Sequence, residues 1–136
     1  MSFKTFAILF LLFSTGCSDE PKWSPTQMWL AGIAVDSSLE QVPIPQHEEH
    51  RRIVCENYGP GCVKGTGKRI KLKGVEFIVL MFETTEQAKT EAYRLNQYYS
   101  RNWLFDEVEG EPIVIHFLKK VYDAKNPHKE EVPKKD

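Results

Sequence analysis

Five groups of side chains in this chain have the types that chemistry needs. Cys55 and Cys62 enclose Glu-Asn-Tyr-Gly-Pro-Gly, a loop short enough to bring the two sulfurs together. A disulfide, two buried thiols, a metal pair and a redox pair are the readings open to them. The spacing is not the Cys-x-x-Cys of a thioredoxin-type redox site. Gly61 to Arg69 (GCVKGTGKR) has the look of a phosphate loop. A P-loop requires Gly, four residues, Gly-Lys, then Ser or Thr. Counting back from Gly67-Lys68 reaches Cys62 instead of Gly, and Arg69 stands where the hydroxyl belongs. The stretch reads as a turn, and no nucleotide is expected. His47 and His50 are spaced i, i+3, whereas the zinc-protease motif needs i, i+4. No metal is assigned to them, and their surroundings suit the solvated first turn of a helix. Lys64, Lys68, Arg69, Lys71 and Lys73 form a basic cluster. It suits docking to an anionic surface or polymer, or protection of a sheet edge against aggregation. Asp106, Glu107, Glu109 and Glu111 could hold a glycosidase pair, but four carboxylates beside a turn read as a solvated loop. No Gly-x-Ser-x-Gly occurs, and no catalytic triad can be named. The chain is therefore not read as an enzyme, and no cofactor is expected.

The elements that must position these residues follow from local signals. Ser24, Pro25 and Gln27 give a capping box with proline at the first helical position, which predicts a helix over 25–35. Trp23 and Met28 occupy the two staple positions, Gly32 weakens the helix, and Asp36-Ser37-Ser38 ends it. Pro43 and Pro45 mark a connector. Gln46 to Tyr58 reads as a second helix, stopped by Gly59-Pro60-Gly61. Arg69 to Phe82 reads as two strands joined by a tight turn at Lys73-Gly74. The first strand alternates Ile70 and Leu72 with Arg69, Lys71 and Lys73, so one face is basic and the strand is expected at an edge. The second, apolar on both faces, is expected at the sheet centre. Thr84 to Arg101 reads as the strongest helix, with Thr84 and Gln87 as a cap and Ala88, Ala92, Leu95 and Tyr99 on one stripe. Trp103 to Val108 reads as a third strand. Pro112 opens a helix carrying Val114, Phe117, Leu118, Val121 and Tyr122. Tyr93, Tyr98, Tyr99, Trp103 and Phe105 concentrate aromatic surface, with Tyr98 and Trp103 the two to inspect for exposure. The expected fold class is α+β: a small sheet of about three strands with helices packed on it. Val75 to Val108 would be a β-α-β unit or half of a ferredoxin-like fold.

The first seventeen residues give an address. Lys4 precedes the unbroken apolar run Phe6 to Phe13, then small residues Ser14, Thr15 and Gly16, then Cys17. Charge, short apolar core and small residues in that order make a secretory signal peptide. The run is too short for a bilayer span, which needs ~20 residues. Ser14-Thr15-Gly16-Cys17 resembles the lipobox of bacterial lipoprotein precursors, although Ser14 stands where leucine is usual. The resemblance implies a diacylglyceryl group on Cys17, usually with a further acyl chain on its amine. Ser18 rather than Asp after Cys17 favours the outer over the inner membrane. Ser14-x-Gly16 also suits ordinary signal peptidase, which leaves a secreted or soluble periplasmic protein as the alternative. An odd number of cysteines leaves one to explain. With lipid on Cys17, Cys55 and Cys62 are free to pair, and an oxidising compartment favours the disulfide among their readings.

Phe77 to Leu95 resembles the strand and helix of RNA-recognition motifs, but the aromatic RNA-stacking signature is absent. We read shared architecture there and no nucleic-acid partner. The chain has 18 Lys+Arg and 19 Asp+Glu; loss of residues 1–16 removes Lys4 alone and leaves a net charge of −2. That balance does not suit a bulk polyanion. The expected organisation is a signal peptide over 1–16, a lipid anchor, tether and helix over 17–44, an α+β domain over 45–125 and a flexible charged tail over 126–136. The expected function is that of a membrane-tethered envelope module binding another envelope protein or an anionic envelope polymer. An inhibitor of a periplasmic enzyme and a small envelope hydrolase are the alternatives.

Overall fold

The computed structural model describes residues 21–130; the signal peptide, the lipobox and Cys17 lie outside the described residues, as do residues 131–136. Three α-helices of eleven residues each, α1 (Pro25–Val35), α2 (Thr85–Leu95) and α3 (Pro112–Tyr122), pack on one sheet. Its strands are β1 (Glu40–Gln41), β2 (Lys68–Leu72), β3 (Val75–Met81), β4 (Tyr98–Ser100) and β5 (Trp103–Asp106). They lie in the order β1-β2-β3-β5-β4, and every neighbouring pair is antiparallel. The class is α+β, with five strands instead of about three. β3 and β4 run parallel to each other with β5 between them, and α2 makes the connection.

Both helix starts read from the sequence form as expected. Ser24 Oγ accepts from the Gln27 N–H and Gln27 Oε1 from the Ser24 N–H; Thr84 and Gln87 repeat the pattern. Each cap satisfies two donors that a helix start otherwise leaves open. β2 and β3 join at Lys73-Gly74, both at positive φ (48° and 84°), as a two-residue hairpin turn requires.

Four expectations change. The helix from Thr84 stops at Asn96, whose left-handed backbone (φ 56°, ψ 50°) closes the helix end, and Tyr98–Ser100 then pairs with β5 as an added strand. Gln46 to Tyr58 is not an α-helix. It forms two short 3-10 turns, Gln46–Arg51 and Cys55–Asn57, with extended backbone between. Glu48 already breaks helical geometry (φ −116°, ψ 35°). Arg51 spans to the sheet to pair with Glu76, a long-range contact that fixes this segment where an apolar stripe does not. β2 is not the outermost strand, since β1 covers its Ile70–Lys71 stretch and the Val42 N–H donates to the Arg69 carbonyl. Finally, Asn126 is buried and Pro127–Lys129 forms a 3-10 turn, so residues 126–130 pack against the body where a charged tail was expected. His128 stacks on Tyr93 (centroids 4.1 Å apart), and Lys129 Nζ lies 2.6 Å from Glu109.

The sheet carries a core on each face. On one, α1 and α3 cover Ile70, Leu72, Phe77, Val79, Trp103 and Phe105. On the other, Leu80, Phe82 and Leu104 pack with Ala88 and Ala92 of α2, and with Ile53 and Tyr58 of the irregular 46–62 segment. The expected central strand, β3, is paired on both edges.

Candidate functional site

A cleft of about 150 Å³ lies between α1 and the sheet. Ile70, Phe77, Val79, Trp103 and Phe105 make its floor, because alternation along β2, β3 and β5 turns these side chains to the same face. Met28, Trp29 and Leu39 roof it, and Phe117, Leu118 and Tyr122 of α3 close its inner end. Gln41, Gly65, Thr66 and Lys68 stand at the mouth, where Gln41, Gly65 and Lys68 are exposed.

The polar atoms along the cleft are mostly committed. Tyr122 Oη donates to the Met28 carbonyl at 2.6 Å, and burial pushes this phenol up to about 12. Thr66 Oγ1 donates to the Val63 carbonyl and accepts from the Met81 N–H. Lys68 has no carboxylate partner among the described residues. It shares strand parity with Ile70 and Leu72, so its stem points to the cleft face, while Arg69 and Lys71 point to the other and Lys73, in the hairpin turn, reaches Asp36 at the end of α1.

That parity splits the basic cluster. Arg69 is only 15% exposed and is spent on Glu76, Glu107 and the Arg51 carbonyl. Lys73 pairs with Asp36 at 2.9 Å and, with hydrogen bonds from Ser38, holds that carboxyl down at about 2. Lys64 and Lys71 complete the cluster, but the structure does not gather the five into one patch. The acidic group is likewise dispersed. Asp106 accepts from Tyr58 Oη at 2.7 Å, Glu107 faces Arg69, Glu109 faces Lys129, and Glu111 precedes α3. Burial, then the Asp106 carboxylate, pushes the Tyr58 phenol up.

Cys55 and Cys62 are joined in a disulfide, with Cα atoms 5.5 Å apart. The bond closes the irregular segment against the start of α2. Glu91 of α2, 3% exposed, accepts from the Gly59 N–H inside that loop and from Arg94 Nε at 2.9 Å. His47 and His50 are exposed on the first 3-10 turn, and His47 lies 3.4 Å from Glu48. Among the described residues no three His, Cys, Asp or Glu side chains converge on one point. Tyr98 and Trp103 are both core residues, buried to 2% and 3% exposure.

Searches against protein-family models, curated proteins and solved structures found no match for this chain.

The cleft was not foreseen. Two signals pointed to it: the parity of Lys68, and the composition of α1 (PTQMWLAGIAV), which contains no charged residue. A surface helix normally carries a charged face opposite its apolar stripe. This one does not, and it leaves Leu30 58% and Val35 50% exposed on its outer side.

Proposed function

We propose that this chain is a lipid-tethered protein of the bacterial envelope that works as a binding module, with the cleft under α1 as its ligand site. One observation carries the reading: α1 has no charged residue, roofs the cleft with apolar side chains and exposes Leu30 and Val35 to solvent beside only Thr26 and Gln27 as polar side chains. A helix of that composition is costly to leave in water, and a bilayer surface on its outer side relieves the cost. Pro25 comes eight residues after Cys17, and eight extended residues span at most ~28 Å. A lipid on Cys17 thus keeps α1 within reach of the headgroups. Ile113, 50% exposed at the start of α3, joins Val35 in one shallow depression with Lys120, His116 and the Asp36–Lys73 ion pair. An apolar patch whose rim carries a lysine unpaired among the described residues suits an anionic leaflet.

Two measurements test the two halves of the proposal. Mass spectrometry of the N-terminus of the protein recovered from membranes should show a lipid-modified Cys17, and Cys17→Ser should leave the chain out of the lipidated fraction. An unmodified Cys17 sinks the tether. For the cleft, toluene added to the full chain should raise its melting temperature and shift the Ile70 and Val79 methyl resonances. Resonances that stay in place sink the ligand site.

A further inference from the structure

We propose that the cleft selects a small anionic amphiphile, a carboxylate bearing an apolar group of about six carbons, and that Lys68 holds the carboxylate at the mouth. This rests on the reading of the cleft as a ligand site and specifies its ligand. The volume sets the size. A cavity of 150 Å³ matches the engineered apolar cavities that take up benzene, so about six carbons fit. The walls set the orientation. Floor, roof and inner end are aromatic or aliphatic, and the Tyr122 hydroxyl is already bound to the Met28 carbonyl. A polar head pushed inward would find no partner and would lose its hydration. It must therefore stay at the mouth.

The mouth sets the charge. Among the described residues Lys68 is the only charged side chain on the cleft, no Asp or Glu lines it, and no carboxylate pairs with Lys68. Its neighbours in the basic cluster are differently placed, for Arg69 on the other face and Lys73 in the hairpin turn each have a carboxylate. An ammonium group of a ligand would meet Lys68 with like charge, and a neutral alcohol would gain a weaker bond than a carboxylate does. Gln41, exposed on β1 beside the opening, can donate a second hydrogen bond to the same head.

The test compares hexanoate, hexanol and hexylamine, which share a tail, at neutral pH against the full chain and its Lys68→Gln variant. Lys68 is exposed, so the variant is expected to fold. Titration should give hexanoate about tenfold tighter binding than hexanol, the usual margin for a charge-assisted bond, with hexylamine weakest. In Lys68→Gln, hexanoate should fall to the level of hexanol. Nuclear Overhauser contacts should join the terminal methyl of bound hexanoate to the Ile70 and Val79 methyls. Equal binding of all three compounds, or a hexanoate preference unmoved by Lys68→Gln, overturns the anion selectivity while leaving the cleft as a site. Binding of none of them, or contacts to residues outside the cleft, overturns the ligand site itself.

Discussion

Gly32 sits in the middle of α1, where alanine ordinarily stabilises a helix by about 1 kcal/mol. We expect Gly32→Ala to destabilise instead. A methyl group at this position would lie 2.5 Å from Tyr122 Oη and 2.7 Å from Leu39 Cδ2. The leucine terminus can turn away, but the phenol cannot. Its ring is held edge-on by Trp23 and Phe117 and stacked on Phe105, and its hydroxyl is bonded to the Met28 carbonyl. Overpacking a core costs about 1–3 kcal/mol, and losing the buried hydroxyl bond adds about 1. Against the propensity gain the net loss is about 1–3 kcal/mol. Urea denaturation followed by circular dichroism measures it. Tyr122→Phe is the control, since removing the hydroxyl removes the nearest obstacle. In that background Gly32→Ala should cost at least about 1 kcal/mol less, a coupling well above the 0.3–0.5 kcal/mol within which independent sites add. A stabilising Gly32→Ala, or strict additivity in the cycle, refutes the close approach of α1 and α3.

Replacing Cys55 and Cys62 together by serine frees a loop with a sequence separation of 7 and should lower stability by about 2.4 kcal/mol in the chain-entropy model; a loss under about 0.5 kcal/mol in urea would contradict it. Glu91 should give a pH signature. Burial works against its charged form, but Arg94 and the Gly59 N–H outweigh this and hold the carboxyl below its ordinary 4.5. A folded value below the unfolded one means the stabilisation is complete above about pH 4.5 and disappears as pH falls through the folded value. The stability gap between wild type and Glu91→Gln should therefore be present at pH 7 and shrink in acid; a gap that widens in acid excludes the assignment. Asp123 closes α3 in the left-handed region (φ 54°), an expensive conformation for a residue with a side chain, and its charge sits at the negative end of the helix. Asp123→Gly should raise stability by about 0.5–1 kcal/mol, and a loss in thermal denaturation would show that its side chain makes a contact worth more than the strain.

The parts of the fold legible in the sequence are those with local causes. Two Ser/Thr-x-x-Gln boxes, a proline at a helix start and a Lys-Gly hairpin turn each act within four residues, and each is present as expected. The overlong second α-helix shows where local reasoning stops. Leu95 and Tyr99 continue the helical stripe of Ala88 and Ala92, but they also suit a strand. Asn96 decides between these, as one of the few residues that enter the left-handed region without large strain. β1 has only two residues and no pattern of its own, since it exists because β2 offers open hydrogen bonds there. Gln46 to Tyr58 reads as helical because its charges fit a helix surface, yet Arg51 finds its partner twenty-five residues away. The cleft depends on how high α1 rides over the sheet, which no single segment encodes. Gly32 weakens that helix by propensity, yet it is the position that admits Tyr122.

The seating of α1 bears on how a tethered module could keep an open cleft. Trp23, the residue before the cap, is clamped to the tip of the β4–β5 hairpin. Its N–H donates to Asn102 Oδ1 at 3.0 Å, its indole to Ser100 Oγ at 3.2 Å, and its carbonyl accepts from the Trp103 indole at 2.8 Å. The Arg101 guanidinium lies 4.3 Å over its ring. Asn102 is buried and is itself tied to the chain just past β3, where its carbonyl accepts from the Phe82 N–H. If Cys17 is anchored in a bilayer, a pull that reaches Trp23 passes into the hairpin and the sheet. α1 begins two residues beyond that clamp and is held at Met28 by Tyr122, at its C-cap by the Asp36–Lys73 ion pair and otherwise by apolar packing. Apolar contacts are non-directional and tolerate small displacements that hydrogen bonds do not. The helix is thus seated mainly by apolar packing, while the point nearest the tether is fixed by hydrogen bonds. Such a division of labour needs both a rigid clamp before the helix and an uncharged helix after it, and Trp23-Ser24-Pro25 supplies the junction between them in three residues.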